Sequence, residues 1–184
     1  DLTIPFAKVV AMNPEISMPF KRYEIGKVFR DGPIKAGRFR EFTQCDVDIV
    51  GGESQAAEAE LMMMAVDAFN KLDVEITIQY NNRKLLYGLL QTFEVPEEKM
   101  NQVILILDKM EKIDCATLLN ELSELGLFEK SLQDIVQFLD AQPTFEYFVP
   151  FVSENEFVRQ GLQELKEIAG YLFALGIEKQ CVFN

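Results

Sequence analysis

The chain has 184 residues, 48% apolar and 26% charged, a composition that supports a buried core and excludes disorder. Its formal net charge of −12 argues against a general nucleic-acid binder. It contains no histidine, which excludes Ser–His and Cys–His nucleophile pairs and any histidine-bearing zinc site, and no apolar run approaches the ~18 residues of a membrane span.

Thr3 to Asn13 has a helical look, with Ile4, Phe6, Ala7, Val10 and Ala11 near one stripe. Lys21 to Arg30 is rich in β-branched and aromatic residues and reads as a strand. Asp31-Gly32-Pro33 is a turn signal, Gly37 a second break, and Phe39 to Val50 the returning strand, ended by Gly51-Gly52. The loop of roughly eight residues exceeds the 2–5 usual for a hairpin, and long loops tend to carry function. Ser54 caps a helix to about Leu72, and Val74 to Tyr80 alternates as a strand. Helices are predicted over Asn82–Thr92, from Pro96 onward, over Cys115–Leu125, Ser131–Asp140 and Ser153–Leu175, with a strand from Cys181 to Phe183. The fold class is α+β: an antiparallel sheet with flanking helices, plus a mostly helical insertion. The expected division is 1–92, core with hairpin; 93–150, helical insertion; and 151–184, return helix and strand.

Cys45, Cys115 and Cys181 form an odd, scattered set, too widely spaced for a zinc motif. They argue for a reducing compartment, hence the cytoplasm, and no metal-ligand set is predicted. The chain begins at Asp1 without a methionine and stops on the strand-like Val182-Phe183-Asn184, so it is expected to be a piece of a longer protein.

The charge is unevenly spread. Lys21 to Arg40 holds seven basic residues against two acidic ones. Such an island suits a polyphosphate, or it is a solvated basic strand pair. On the returning strand one face carries Arg38, Arg40, Phe42, Gln44, Asp46 and Asp48, graded from guanidinium through a ring to amide and carboxylate. At ~3.3 Å per residue this row spans roughly 33 Å, room for a nucleotide and a second small ligand, and the partner strand adds Arg30 to the same face. The opposite face, with Phe39, Cys45, Val47 and Ile49, is expected in the core, as is Tyr23. Glu121, Glu124, Glu129, Glu164 and Glu167 are expected on solvated faces.

Lys21 to Gly51, KRYEIGKVFRDGPIKAGRFREFTQCDVDIVG, resembles motif 2 of a class II aminoacyl-tRNA synthetase, with Phe29-Arg30, a loop, then Arg38, Phe42 and Asp46 in the pattern Arg-x-x-x-Phe-x-x-x-Asp. The finer resemblance is to the histidyl-tRNA synthetase family, through DLTIPFAKVVAMN (Asp1–Asn13), GRFREFTQCDVDIVG (Gly37–Gly51), NNRKLLYGL (Asn81–Leu89) and LDKMEKID (Leu107–Asp114).

That resemblance implies a histidine–tRNA ligase, with ATP and Mg2+ as cofactors, histidine and tRNA(His) as partners, and a homodimeric parent. It implies that Arg30 is the catalytic residue, holding the ATP α-phosphate and the histidine carboxylate. A planar, permanently charged fork suits the oxyanions of that step, which needs no side-chain acid or base. Arg38 would reach the outer phosphates and Phe42 would stack on adenine. Asp1, Thr3 and Gln44 would hold the α-ammonium group, and Asp48 would accept a hydrogen bond from the imidazole. Gly32 stands where the family often has Glu, which removes a contact to the adenine amino group.

In the family's order, motif 1 precedes these residues, and motif 3 and the anticodon-binding domain follow. The chain is therefore expected to hold one wall of the site and little activity alone. Lys109, Lys112 and Lys130 are the candidates for acceptor-stem phosphates. Two rival readings are a histidine-sensing paralogue, the regulatory subunit of ATP phosphoribosyltransferase, and the synthetase-like, tRNA-sensing domain of a stress kinase.

Overall fold

A computed structural model describes residues 2–110, 113–141 and 143–184. The chain divides into two compact units, Asp1–Ala65 and Val66–Asn184. It is a mixed α+β protein with a small antiparallel sheet and helices, in keeping with the predicted class.

The first unit is built on a hairpin. Strands β1 (Phe20–Phe29) and β2 (Glu41–Val50) pair antiparallel from Phe20↔Val50 to Phe29↔Glu41. Arg30 N–H donates to Arg40 C=O at 2.9 Å and carries the ladder one step further. Helix α1 (Thr3–Met12) lies on one face of this ribbon. The Phe6 ring stacks on Phe20 with centroids 6.2 Å apart, and Leu2 reaches to 3.7 Å from where a Cβ on Gly26 would stand. Helix α2 (Ala56–Lys71) starts where the Ser54 hydroxyl accepts from Ala56 N–H at 3.1 Å, and the unit boundary falls inside it. The Lys21 ammonium meets the Glu60 carboxylate at 2.6 Å.

The second unit is mainly helical. Helices α3 (Arg83–Thr92), α4 (Glu97–Leu107), α5 (Cys115–Glu124), α6 (Glu129–Asp140) and α7 (Glu156–Leu175) bury one core that includes Leu85, Leu89, Met100, Val103, Leu122, Ile135, Phe148, Val158 and Leu165. Each such side chain contributes about 1.5–3 kcal/mol on burial. A 3₁₀ stretch, Phe145–Ser153, adds Phe148 and Phe151 to this core; the sequence reading did not isolate it as an element.

Helices α3 and α7 each start at a capping asparagine. Asn82 Oδ1 accepts from Lys84 and Leu85 N–H at 2.8 and 3.2 Å, and Asn155 Oδ1 accepts from Phe157 and Val158 N–H at 2.8 and 3.3 Å. Helices α3 and α7 cross at two glycines. A Cβ on Gly161 would stand 2.5 Å from Leu85 N, and one on Gly88 would stand 2.7 Å from Val158 N. Strands β3 (Ile78–Tyr80) and β4 (Cys181–Phe183) pair parallel, Ile78↔Cys181 to Tyr80↔Phe183. The predicted β3 from Val74 shortens to three residues, because only those find a partner.

Several expectations about burial are corrected. Tyr23 and Phe39 are 77% and 65% exposed rather than in the core, and Cys45 is exposed rather than buried. The reason is which face α1 chose. Phe6 and Leu2 cover the polar, graded face, and Tyr23, Ile25, Cys45 and Val47 lie on the other side of the ribbon. Glu164 also departs from its predicted solvated place. It is half-buried and accepts from Asn82 Nδ2 at 2.7 Å and Lys84 Nζ at 2.5 Å. Against the burial that would raise it, these two partners hold its carboxyl below the usual carboxylate value.

Candidate functional site on the hairpin

Directly opposed residues of an antiparallel pair share a face. The register therefore gathers Arg22, Glu24, Gly26 and Val28 of β1 with Phe42, Gln44, Asp46 and Asp48 of β2. On β2 these four are half-buried, and their neighbours Thr43, Cys45 and Val47 are exposed. Val28, opposite Phe42, is fully buried.

Arg30 sits at the loop end of this face. Its Nη2 donates to Gln44 Oε1 at 2.8 Å, and its Cζ lies 5.3 Å from the centre of the Phe42 ring. This bond and this ring contact both bear on the orientation of the guanidinium plane. The Gln44 amide passes the chain on, donating from Nε2 to Asp46 Oδ1 at 2.5 Å. Gln44 and Asp46 recur every second residue, so the row is a consequence of strand alternation.

The loop closes over the same end. Lys35 and Arg38 bridge across the tip through Arg38 N–H to Lys35 C=O at 2.9 Å, with Gly37 at φ +73° supplying the left-handed step. Arg40 Nε donates to Gly32 C=O at 3.2 Å and stands 3.7 Å from the Asp31 carboxylate. Between loop and strand lies a cleft of about 270 Å³ whose walls include Arg30, Arg38, Arg40, Phe39, Phe42 and Gly32. Three guanidinium groups and two rings around one cleft suit an anion joined to a flat ring system. From sequence Arg40 belongs to the graded face without a ligand role, and Phe39 is expected on the opposite face. The alternation that picked out Arg38 and Phe42 was the signal for Arg40, and Phe39 enters because the loop turns before β2 begins.

The far end of the face is organised differently. Asp48 Oδ2 lies 2.7 Å from Arg22 Nη2, and Arg22 also pairs with Glu24. The Arg22 Cζ stands 4.0 Å from the centre of the Phe6 ring on α1. The Asp48 contact is an ion pair without hydrogen-bond alignment, and Arg22 Nε has no acceptor among the described residues. Thr3 opens α1, one residue after the Leu2 that packs toward Gly26, the cross-strand partner of Gln44. Asp1 lies outside the described residues. The hairpin therefore brings Arg30, Phe42 and Gln44 together, places Arg38 across the cleft and sets Asp48 at the opposite end.

The lysines considered for RNA are engaged elsewhere. Lys109 pairs with Glu121 at 2.8 Å and Lys130 with Glu94 at 2.7 Å, and Lys112 lies outside the described residues. No helix among the described residues is long and apolar enough to cross a membrane.

The family model described as histidyl-tRNA synthetase matches residues 1–184. The chain is 54% identical over its whole length to histidine–tRNA ligase 2 of Shouchella clausii and to histidine–tRNA ligase 1 of Bacillus cereus, spanning 44% and 42% of those proteins. Among solved structures, the histidyl-tRNA synthetase of Nostoc is similar with a TM-score of 0.88 at 28% identity, over all of this chain and 44% of that one. An ATP phosphoribosyltransferase regulatory subunit/histidyl-tRNA synthetase from Bacillus halodurans shares the fold, with a TM-score of 0.80 at 17% identity.

Proposed function

Because the chain belongs to the histidyl-tRNA synthetase family, we propose that it supplies one wall of a histidine–tRNA ligase site, where ATP converts histidine to histidyl-adenylate and the histidyl group then passes to tRNA(His). The observation that carries this reading is the Arg30 fork, oriented by Gln44 and Phe42 at the edge of a cleft walled by two further arginines.

In this reading the histidine carboxylate attacks the α-phosphorus and pyrophosphate departs. Charge builds on the phosphoryl oxygens, and Arg30, oriented beforehand, stabilises it without taking or giving a proton. Arg38 holds the outer phosphates and Phe42 the adenine face. Thr3, Gln44 and Asp1 receive the α-ammonium group, and Asp48 accepts from the imidazole N–H. A carboxylate left unpaired would penalise leucine or phenylalanine in that place. Magnesium, when bound, neutralises phosphate charge. No group of three or more Asp, Glu or Cys that could hold a metal ion occurs among the described residues, so none is assigned to it.

Residues 93–150 are proposed as the helical insertion near the acceptor end of the tRNA, in a homodimeric, cytoplasmic ligase. The arginine wall favours a ligase over a histidine-sensing paralogue, which has no need of an ATP site.

The test is histidine-dependent ATP–pyrophosphate exchange by the protein expressed from the complete reading frame that contains these residues. Exchange that vanishes in Arg30→Lys supports the reading, and histidine binding with no ATP binding refutes it. The 184-residue chain alone is expected to charge little or no tRNA, since it spans about 44% of its curated relatives. Robust exchange by that chain would contradict the expectation.

A further inference from the structure

Asp48 does not stand alone at the far end of the hairpin. Its cross-strand partner is Arg22, and the register places the two directly opposite each other. The guanidinium meets the carboxylate at 2.7 Å, and only 11% of the Arg22 side chain is exposed. Arg22 is held in turn from two sides, by Glu24 two residues on and by the Phe6 ring of α1 at 4.0 Å. A largely buried arginine is costly unless its charge is used, and this one pairs with the carboxylate on which amino-acid selection is proposed to depend.

We propose that Arg22 is a positioning residue for Asp48, fixing the rotamer of the carboxylate that receives the imidazole N–H. The inference rests on the histidine-reading role proposed for Asp48. A short aspartate needs such support. Asp48 has two rotatable side-chain bonds, and the ion pair of Oδ2 with Arg22 restrains both, leaving Oδ1 as the acceptor for a ligand. Phe6 makes this a three-part device. Helix α1, which begins at Thr3, is tied through its ring to the cation that holds Asp48. The two ends of a bound histidine, ammonium and imidazole, would therefore be set by one packed unit.

A double-mutant cycle separates positioning from general support of the fold. Arg22→Gln, Arg22→Lys, Asp48→Asn and the Arg22→Gln/Asp48→Asn pair are made in the protein expressed from the complete reading frame. KM for histidine and for ATP is measured in pyrophosphate exchange. Arg22→Gln is expected to raise the histidine KM about tenfold, with the ATP KM changed less than about twofold, and Arg22→Lys to recover part of the loss. In the Asp48→Asn background Arg22→Gln should add less than about twofold, because its target is gone.

A full additional loss in that background, or a parallel rise in the ATP KM, overturns the inference and leaves Arg22 a structural residue. If Asp48→Asn raises the histidine KM and Arg22→Gln does not, the inference fails and the reading of Asp48 stands. If Asp48→Asn changes nothing, both fall. Should Arg22→Gln melt below the assay temperature, Arg22→Lys, which keeps the charge and loses the fork, runs the same cycle with an expected rise of about threefold. No rise then overturns it.

Discussion

Arg30 Nη2 donates to Gln44 Oε1 at 2.8 Å, joining two residues fourteen positions apart that share a face only because the hairpin folds in this register. The bond places a proposed phosphate-binding cation and a proposed ammonium-binding amide in one network, which Gln44 extends to Asp46. Nucleotide and amino acid would then meet the same chain of bonds where they react.

Gln44→Ala removes the shared link. Histidine KM in pyrophosphate exchange is expected to rise about tenfold and kcat to fall, since Arg30 loses an orienting acceptor. ATP KM should move less, because Arg38 and Phe42 keep their places. A change in the ATP KM alone would contradict this.

Gly161→Ala tests the crossing of α3 and α7. The new methyl carbon would stand 2.5 Å from the Leu85 amide nitrogen, a backbone atom that cannot swing aside. A loss of about 3 kcal/mol in unfolding free energy is expected by denaturant titration. Gly170→Ala, where a Cβ meets nothing within 4 Å, should be neutral or slightly stabilising.

Glu164 carries a pH signature. Its folded-state carboxyl is held below the ordinary value by Lys84 and Asn82 against burial, so its contribution is fully present above the unfolded value of about 4.3 and is lost as pH falls through the folded one. Glu164→Gln is expected to cost about 1 kcal/mol at neutral pH, discounted for partial exposure. The gap to the parent should close in acid, as followed by thermal or denaturant unfolding from neutral pH to pH 3.

The exposed side of the hairpin is open to chemical test. Cys45 and Cys115 are exposed, Cys181 is buried, and burial pushes the Cys181 thiol up. Maleimide should label Cys45 and Cys115 quickly in the folded 184-residue chain and Cys181 only after denaturation, as read by peptide mass. Slow labelling of Cys45 would place it back in a core.

The order of elements was legible in the chain, because helix caps, turn residues and strand alternation act over a few positions. Asn82 ahead of α3, Ser54 ahead of α2 and the Phe42–Gln44–Asp48 alternation needed no partner to be read. The family likeness likewise lay in one contiguous stretch, Lys21 to Gly51. Which side of the ribbon is covered was decided only by the fold. Phe6 reached Phe20 and Arg22, so the polar row became the half-buried one, and Tyr23 and Cys45 were left outside. Arg22 opposite Asp48, the glycine crossing of α3 and α7, and the parallel pairing of Ile78 with Cys181 are also contacts between distant residues. Local preferences cannot encode them, since their energy exists only once both partners have been brought together by packing.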